Sequence, residues 1–418
     1  MLVIYRILIN FIFLISPLIL IFRLIKKKEN ILRFKEKYCF FSKTKKNGKL
    51  IWFHGASVGE LLSVVPLLEK LEKKKDVTQI LVTSNTLSSS NIISKISSKK
   101  IVHQFFPIDT KFLINKFLEY WKPSLVFFID SEIWPNTIDL TYSKKIPIIL
   151  LNGRITKKSF NKWKILNSFA KDNFSKFKLC LASNLKSKNR LKSLGAKNVK
   201  YFGNLKFSQS ENEKTQISKS LLKQLNQRKV WCASSTHNSE EKFCGIIHQK
   251  LKIKYKNLLT IIIPRHIDRS KKIENELNSM NLKIQKFHDN DPIKKDTDIF
   301  IINAFGKTKS FYNICKNIFL GGSLIDHGGQ NPIEAARYGC TILHGKSVFN
   351  FDEIFTFLKR NNISFEISSI SSTVKLLDNF LKKQNKSKNN KIKKKIYLIG
   401  KQILDKTYRE ISIYMNKS

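Results

Sequence analysis

The chain has 418 residues, which is more than a single hydrophobic core usually supports, so two domains are expected. Its formal net charge of +46, from 77 basic and 31 acidic residues, favours an anionic partner: nucleic acid, acidic lipid or a phosphorylated substrate. The lysines are spread along the whole chain, which weakens the case for nucleic acid and is also what a compositional bias of the coding DNA produces. The six cysteines form no C-x-x-C pair, which argues against a zinc site or redox motif and for free thiols in a reducing compartment.

The first 28 residues predict a membrane anchor. The segment from Leu2 to Ile25 is long and apolar enough for a bilayer if Arg6 and Arg23 extend to the two surfaces. Lys26 to Lys28 follow, and by the positive-inside rule they place the rest of the chain on the cytoplasmic side. A cleaved signal peptide is the competing interpretation, but no small-residue cleavage site follows the apolar run. Whether the anchor spans the bilayer or lies in its interface stays open.

After a basic amphipathic stretch, residues 29–48, which could rest on anionic headgroups, apolar strand-like runs alternate with helical patterns. The strand-like runs of this first series are residues 50–54, 79–83, 124–129, 147–151 and 179–182. An amphipathic helix over Gly59 to Lys73 follows the first of them. Alternation of this kind predicts a parallel sheet with helices on both faces.

A polar segment without periodicity, residues 208–219, is predicted to be a linker to a second series. The strand-like runs of the second series are residues 229–233, 258–263, 298–302, 317–320 and 340–343. A tail rich in Lys and Asn and a final helix follow. The sequence therefore predicts two α/β domains, residues 29–207 and 220–418, with a cleft between them where ligands bind beyond the carboxyl ends of the strands.

The segment from His54 to Glu60, HGASVGE, comes directly after the first strand. Ser57 and Glu60 have the S-x-x-E spacing of a capping box, which is the simplest interpretation of the spacing alone. Glu60 would also lie at a helix N-terminus, where the helix dipole is expected to keep its carboxylate ionised. An ionised carboxylate facing a cleft can act as general base toward an acceptor hydroxyl, and the two interpretations are compatible.

A glycine-rich segment from Gly321 to Glu334, GGSLIDHGGQNPIE, follows a strand of the second series. Its four glycines are expected to expose backbone N–H groups, and Asn331, Pro332 and Glu334 match an N-cap, an N1 proline and an N3 acid. Such a helix start can bind phosphate while Glu334 holds ribose hydroxyls, and an ordinary capped helix is the alternative. The nearby GKS run at residues 345–347 lacks the earlier glycine of a P-loop, which excludes one.

Three shorter motifs place polar residues at strand ends. The run Pro264-Arg265-His266 could meet a phosphate group. Lys206, in the segment GNLK, could offset charge on a leaving phosphate, although alone it is one lysine among many. Asp130, in the segment DSEIWP, faces the expected cleft, with turn formation and helix capping as its simpler role.

Taken together, the segments HGASVGE, IDSEIWPN, NGRIT, GNLKF, SSTHNSEE, PRH and GGSLIDHGGQNPIEAA resemble, in order and spacing, the motifs of the 3-deoxy-D-manno-octulosonic acid (Kdo) transferases. The resemblance runs from the N-terminal anchor to about Glu353. It implies an α/β fold of GT-B type, with two Rossmann-like domains facing a cleft and an N-terminal membrane-anchor helix. It also implies an inverting transfer of Kdo from CMP-Kdo to a hydroxyl of the lipid A precursor, lipid IVA, in lipopolysaccharide biosynthesis, without a metal or other cofactor.

By matching position, the resemblance implies that Glu60 is the base and that Asp130 and Lys206 stabilise the transition state. The residues that it implies for CMP binding are Pro264, Arg265, Phe305, Gly306, Lys307, Asn331, Pro332, Ile333 and Glu334. Two positions depart from the family pattern. The family usually has Glu where this chain has Asp130, which shortens the reach of the carboxylate by one methylene, and Lys307 stands where an acid is common.

The partners implied are the CMP-Kdo donor, the lipid A precursor and anionic lipid of the inner (cytoplasmic) membrane, with the catalytic domains on its cytoplasmic face and no nucleic acid. Two alternatives stay open at this point. One is another GT-B glycosyltransferase of envelope synthesis that uses a different sugar nucleotide. The other is a non-catalytic, membrane-tethered protein that binds anionic lipid or nucleic acid through its charge.

Overall fold

The computed structural model describes residues 1–209, 217–288, 291–382 and 386–415. The chain divides into two compact units, one formed by Met1–Ser210 with Ile399–Ser418 and the other by Glu211–Leu398. Each unit contains a seven-stranded sheet of parallel strands with helices packed on it. The predicted two-domain α/β fold of GT-B type is therefore confirmed.

The first unit begins with an apolar helix and continues as a regular alternation of strands and helices. Its elements are α1 (Leu2–Ile25), β1 (Lys49–His54), α2 (Val58–Glu72), β2 (Val77–Ser84), α3 (Leu87–Ser94), β3 (Ile101–Phe105), α4 (Lys111–Trp121), β4 (Leu125–Ile129), α5 (Pro135–Ser143), β5 (Ile148–Gly153), α6 (Lys157–Ile165), α7 (Asn167–Ser175), β6 (Leu179–Ala182), α8 (Leu185–Ser193) and β7 (Val199–Tyr201).

The strand order of the first sheet is β3-β2-β1-β4-β5-β6-β7. The direction in which the chain adds strands reverses between β1 and β4, so the segments after these two strands leave the sheet side by side. His54, the last residue of β1, is in register with Thr83 of β2 and Phe128 of β4. These interior strands are apolar on both faces because helices cover both faces of the sheet.

The second unit has the same kind of alternation. Its elements are α9 (Lys219–Asn226), β8 (Lys229–Thr236), α10 (Glu240–Lys252), β9 (Leu258–Pro264), α11 (Ser270–Asn278), β10 (Ile284–Lys286), β11 (Ile299–Ile301), α12 (Thr308–Ile314), β12 (Asn317–Leu320), α13 (Ile333–Arg337), β13 (Thr341–His344), α14 (Asp352–Arg360), β14 (Ser364–Glu366), α15 (Ile370–Lys382) and the start of α16 (Lys386–Met415). The strand order is β10-β11-β9-β8-β12-β13-β14, which reverses between β8 and β12.

The last residues of α16 belong to the first unit, whereas the sequence predicted that residues 220–418 form the second domain. The carboxylate of Glu410 pairs with Lys200 at 2.6 Å, and Ile403 packs against Gly203. A Cβ at Gly203, whose φ is +117°, would lie 2.5 Å from Ile403, so this close approach requires glycine. The predicted linker, residues 208–219, falls largely outside the described residues, because 210–216 are not among them.

Among the described residues, one helix, α1, is long and apolar enough to cross a membrane by length and composition. It contains Pro17 and ends next to the basic run Lys26 to Lys28. The predicted N-terminal helix is therefore present in the structure.

Candidate active site

Glu60 lies in the first turn of α2, where the predicted capping box is confirmed. Its carboxylate accepts hydrogen bonds from the N–H of Ala56 (2.7 Å) and from the hydroxyl of Ser57 (2.8 Å). In return, Oγ of Ser57 accepts a hydrogen bond from the N–H of Glu60 (3.4 Å). These bonds hold the carboxylate at the switch point of the first sheet, beyond the end of β1.

The surroundings of Glu60 raise the pKa of its carboxyl to about 7. Burial is the main cause, and the charges of Glu132 and Asp130 add to it, while the hydrogen bonds from Ser57 and Ala56 oppose it. The expectation that the helix dipole keeps this carboxylate ionised is therefore not what the structure shows. Near neutral pH the carboxyl is divided between its protonated and ionised forms, which suits a group that must accept a proton.

Gly59, the residue before Glu60, has open space beside it. A Cβ built at this position would have no heavy atom of the described structure within 4 Å. The packing of the first unit therefore does not require glycine here.

Asp130 follows β4 and forms an ion pair with Lys206. Its backbone is left-handed, with φ of +58°, and its side chain is buried. Nζ of Lys206 lies 3.4 Å from Oδ2 of Asp130, and the N–H of Lys206 donates to Oδ1 of Asn204 at 2.9 Å. Burial raises the pKa of Asp130, while the positive charges of Lys206 and Arg154 oppose this shift. The structure thus brings together all three predicted catalytic residues, since Asp130 also acts on Glu60.

Sequence reasoning missed the pairing of His54 with Glu132. Nε2 of the buried His54 lies 3.3 Å from Oε2 of Glu132, which also accepts a hydrogen bond from the indole of Trp134 (2.9 Å). Oγ1 of Thr83 accepts a hydrogen bond from the indole of Trp52 (2.9 Å) and lies 2.9 Å from Nδ1 of His54. The available signal was a histidine that ends a buried strand and the second acid of DSEIWP.

Both groups of this pair have shifted pKa values. Burial lowers the pKa of His54, which keeps the imidazole neutral. Burial opposes ionisation of Glu132, but the hydrogen bonds from His54 and Trp134 outweigh it and lower the pKa of Glu132. Glu132 is therefore ionised at neutral pH, and its charge contributes to the raised pKa of Glu60.

In the second unit, the expectation that the four glycines expose their N–H groups is wrong. The N–H groups of Gly321, Gly322, Gly328 and Gly329 donate to Ser234 O (2.8 Å), Glu240 Oε2 (2.8 Å), Ser347 Oγ (3.1 Å) and Gly322 O (2.8 Å), respectively. Glu240 is 1% exposed and also accepts from the N–H groups of His237, Ser323 and Leu324 at 2.9–3.1 Å. A carboxylate of the protein itself thus occupies the switch point between β8 and β12.

The helix start predicted at Asn331 is displaced by one residue. Helix α13 begins at Ile333, so Pro332 is the N-cap rather than the first helical residue. Oδ1 of Asn331 still accepts a hydrogen bond from the N–H of Ile333 (3.2 Å). Pro332 and Ile333 are buried, whereas Glu334 is partly exposed.

The segment around Phe305 lies near Glu334, because Nζ of Lys309 in α12 is 3.8 Å from Oε1 of Glu334. Gly306 forms a turn with φ of +79°, where a side chain would be strained. Phe305 is 80% exposed, and Nζ of Lys307 lies 5.5 Å from the ring centre of Phe287. The structure therefore brings together two of the predicted CMP-binding segments, Phe305 to Lys307 and Asn331 to Glu334.

The predicted CMP-binding segment Pro264-Arg265 lies near the glycine-rich segment, since a histidine ring, that of His237, is close to the rings of His266 and His327. Pro264 is buried at the end of β9, while Arg265 is exposed. The ring of His237 lies 6.1 Å from that of His266 and 4.3 Å from that of His327. Burial is the main cause that lowers the pKa of His237 to about 4, and neighbouring basic residues, with Arg265 among them, add to it. Basic residues are thus concentrated at this edge of the second sheet.

Comparisons with known proteins identify the relatives of this chain. Residues 32–209 match the family described as 3-Deoxy-D-manno-octulosonic-acid transferase (kdotransferase). The 3-deoxy-D-manno-octulosonic acid transferase of Rickettsia bellii is 32% identical over 381 residues, which cover 89% of this chain and 90% of that protein. The enzyme of the same name from Haemophilus influenzae is 28% identical over 330 residues, which cover 78% of this chain and 77% of that protein.

Among solved structures, UDP-GlcNAc 2-epimerase from Neisseria meningitidis superimposes with a TM-score of 0.59 at 14% identity, covering 88% of this chain and all of that one. This likeness concerns the fold alone. The two Rossmann-like units and their carboxyl-edge residues, together with these relatives, define a glycosyltransferase. The chain belongs to the family of 3-deoxy-D-manno-octulosonic acid (Kdo) transferases.

Proposed function

We propose that this protein transfers Kdo from CMP-Kdo to a hydroxyl of the lipid A precursor, lipid IVA, with inversion at the anomeric carbon, in lipopolysaccharide biosynthesis. The observation that carries the proposal is the placement of Glu60, with a pKa of about 7, next to the Asp130–Lys206 ion pair. This arrangement supplies a base that works near neutral pH and two opposite charges that can act on the reacting sugar.

In the proposed reaction, the acceptor hydroxyl gives its proton to ionised Glu60 while its oxygen bonds to the anomeric carbon. The bond from that carbon to the phosphate oxygen breaks on the opposite face, and CMP leaves with the bonding electrons. A single displacement of this kind inverts the anomeric centre. The carboxylate of Asp130 stabilises positive charge on the sugar, and Lys206 stabilises negative charge on the leaving phosphate. The open space beside Gly59 admits the acceptor.

The second unit is proposed to bind the CMP part of the donor. The exposed ring of Phe305 can stack on the cytosine base, exposed Arg265 can pair with the phosphate, and Glu334 can accept hydrogen bonds from the ribose hydroxyls. The residues proposed to form this site are Pro264, Arg265, Phe305, Gly306, Lys307, Asn331, Pro332, Ile333 and Glu334. The contact between Lys309 and Glu334 supports placing the segment around Phe305 and the segment around Glu334 in one site.

The proposed location is the inner (cytoplasmic) membrane, with the catalytic units on its cytoplasmic face. Helix α1 is the attachment element, and the exposed basic run Lys26 to Lys28 follows it directly. Basic residues next to an apolar segment favour anionic lipid, and the acceptor is itself a phosphorylated lipid in the same leaflet.

The test supplies CMP-Kdo and lipid IVA and follows the mass of the lipid. The wild-type chain should add the mass of Kdo, and Glu60→Gln should lower the rate about 10²- to 10⁴-fold because the amide cannot accept the proton. Glu69→Gln makes the same chemical change on the same helix and should keep the wild-type rate. Activity of Glu60→Gln within about tenfold of the wild type would contradict the assignment of the base.

The same assay separates the proposed donor from another sugar nucleotide. If the wild-type chain leaves lipid IVA unchanged with CMP-Kdo but modifies a lipid with a different sugar nucleotide, the donor assignment fails while the glycosyltransferase class stands. Calorimetric titration with CMP should show binding that Glu334→Ala weakens.

A further inference from the structure

Helix α1 presents two chemically different faces. Tyr5, Ser16 and Arg23 follow one another at helical spacing on the face that contacts the first unit. The opposite face is apolar and exposed along the whole helix, with Leu14 73% and Leu18 72% exposed. This distribution is the reverse of an ordinary surface helix, whose apolar face packs on the protein and whose polar face meets water.

The beginning of α1 is bound to the first unit by polar contacts. The hydroxyl of Tyr5 donates to Oδ2 of Asp109 at 2.7 Å, and the guanidinium of Arg6 donates to Asn136 (3.0 Å) and Asp139 (2.8 Å). Asp109 is 1% exposed and accepts hydrogen bonds from the backbone at the start of α5 as well. Removing Tyr5 from this place would leave a buried carboxylate with one partner fewer.

The middle of α1 is bound to the same unit. Pro17 has no N–H, so the carbonyl of Phe13 lacks its helical partner, and the hydroxyl of Ser16 donates to it at 2.7 Å. Since Ser16 has a single hydroxyl proton, the contact with Tyr38 (2.8 Å) is a hydrogen bond donated by the tyrosine. The polar break in this apolar helix therefore faces protein rather than the exposed side.

The end of α1 is bound there too. Nε of Arg23 donates to Oε1 of Glu29 at 2.6 Å, and Nζ of Lys37 approaches the same oxygen at 2.7 Å. The side chain of Glu29 is fully buried in these contacts. Arg23, which the sequence placed at a membrane surface, is thus held by the protein.

The distance between these contacts along α1 decides whether the helix spans the bilayer or lies in its interface. Tyr5 and Arg23 are 18 positions apart, which corresponds to about 27 Å of helix, close to the ~30 Å thickness of the hydrocarbon core. A spanning helix would therefore place Tyr5 and Arg23 near opposite surfaces of the bilayer. Tyr5 binds Asp109, and Arg23 is connected through Glu29 and Lys37 to Ile108, whose N–H donates to the Lys37 carbonyl at 3.1 Å. A crossing helix cannot keep both connections to this part of the first unit without breaking the contacts at one end.

We infer that α1 lies in the plane of an anionic lipid bilayer, with its exposed apolar face immersed in one leaflet and its polar face fastened to the first unit. The inference rests on the proposed membrane attachment and specifies its geometry. The exposed Ile31 (74%) and Leu32 (86%) add apolar surface just after the helix, and Lys26 to Lys28 provide charge for anionic headgroups.

This geometry fastens the membrane-bound helix to the catalytic loop. Asp109 joins Tyr5 to the N-terminus of α5, and α5 begins at Pro135, immediately after the segment from Asp130 to Trp134. The leaflet that holds the lipid acceptor thus has a short structural connection to the catalytic pair.

Labelling of single cysteines tests the inference in the full-length protein. All six native cysteines are buried, so a cysteine in a short polar extension before Met1 and Lys28→Cys each place one exposed thiol at either end of α1. In inner-membrane vesicles, a membrane-impermeant maleimide should label both variants when the vesicles are inverted, and neither when they are right side out. Labelling of the two ends from opposite sides would overturn the in-plane geometry while leaving membrane attachment intact.

The matched control for sidedness is Ile253→Cys, at a position 77% exposed in the second unit. In both geometries of α1 this thiol lies on the proposed cytoplasmic side, so it should be labelled only in inverted vesicles. If the cysteine placed before Met1 is labelled in the same vesicles as Ile253→Cys, the result supports the in-plane helix. The opposite pattern contradicts it.

A depth measurement gives a second readout. A polarity-sensitive fluorophore on Ile7→Cys, Leu14→Cys and Phe22→Cys, all on exposed side chains, should report similar depths when the protein binds vesicles that contain phosphatidylglycerol. A spanning helix would instead place position 14 far deeper than the other two, and that result would overturn the inference.

Two further outcomes distinguish the inference from its premise. If the wild-type chain does not float with anionic vesicles, the proposed membrane attachment itself fails. If the chain is a dimer in solution and position 14 is protected from maleimide without lipid, a second copy covers this face and the lipid-docking inference is overturned.

Discussion

Glu60 and Glu240 occupy corresponding places in the two units and differ in what surrounds them. Each follows a strand at the switch point of its sheet, β1 or β8, and lies in the first turn of the next helix. Glu240 is 1% exposed, and its carboxylate accepts hydrogen bonds from the N–H groups of His237, Gly322, Ser323 and Leu324. Glu60 is partly exposed and lies among other negative charges.

The difference shows that the position in the fold does not decide the role of the residue. The lone pairs of Glu240 are taken up by the backbone, so this carboxylate braces the glycine-rich segment. Glu60 caps its helix but remains accessible, and its raised pKa keeps a proton within easy exchange near neutral pH. The same topology thus holds a structural carboxylate in one unit and a proposed base in the other.

The largest expected effect on stability comes from Glu240→Ala. This change leaves several buried N–H groups without an acceptor, so the free energy of unfolding of the second unit should fall by about 3 kcal/mol. Urea unfolding of the full-length chain measures it, with Glu276→Ala on α11 as the control. Equal midpoints for the two variants would contradict the bracing role.

Glu60→Gln should make the folded chain more stable at pH 8. The pKa of Glu60 in the folded state, about 7, lies above the ordinary value of 4.5. The contribution of this carboxyl to the free energy of unfolding is therefore fully present below pH 4.5 and is lost as the pH rises through 7. The amide carries no charge to desolvate, and the expected gain is about 1–3 kcal/mol at pH 8 and none at pH 4. Thermal unfolding at the two pH values checks this, and a gain of the same size at both would show that charge is not the cause.

Glu132→Gln should move the rise of kcat/KM to lower pH. Removing the charge of Glu132 removes one cause of the raised pKa of Glu60, so the base becomes ionised at lower pH. The measurement is the pH profile of Kdo transfer, with Glu69→Gln expected to keep the wild-type profile. A profile that stays in place while the rate falls would limit Glu132 to a structural role.

The smallest effect is expected for Asp130→Glu, which introduces the residue that the resemblance of the sequence motifs implies at this position. The left-handed backbone at position 130 tolerates Asp better than Glu, while the longer side chain keeps the charge close to Lys206. We expect the rate to change less than about tenfold, since strain of about 1 kcal/mol corresponds to this range. Asp130→Asn keeps the reach but removes the charge, and it should be slower; an Asn variant that is faster than the Glu variant would show that reach, not charge, matters.

The accuracy of the predicted strands depended on where each strand lies in its sheet. The five predicted runs of each series correspond to the interior strands, which are apolar because helices cover both faces. The strands that were not predicted are β3, β7, β10 and β14, which are the outermost strands of the two sheets. Edge strands pair on one side only and contain polar residues such as His103 and Gln104, so no continuous apolar run marks them.

The sequence by itself determined the family and the α/β alternation, and it predicted Glu60, Asp130 and Lys206 as candidate catalytic residues, because ordered motifs and apolar periodicity are local properties of the chain. The tertiary structure alone decided the pKa of Glu60, the occupation of the glycine N–H groups by Glu240 and the side of α1 that faces the protein. Each of these depends on groups far apart in the chain: Glu60 with Glu132, Glu240 with Gly322, and Tyr5 with Asp109. Electrostatic shifts and hydrogen-bond partners are set by distances in space, which the spacing of residues along the chain does not contain.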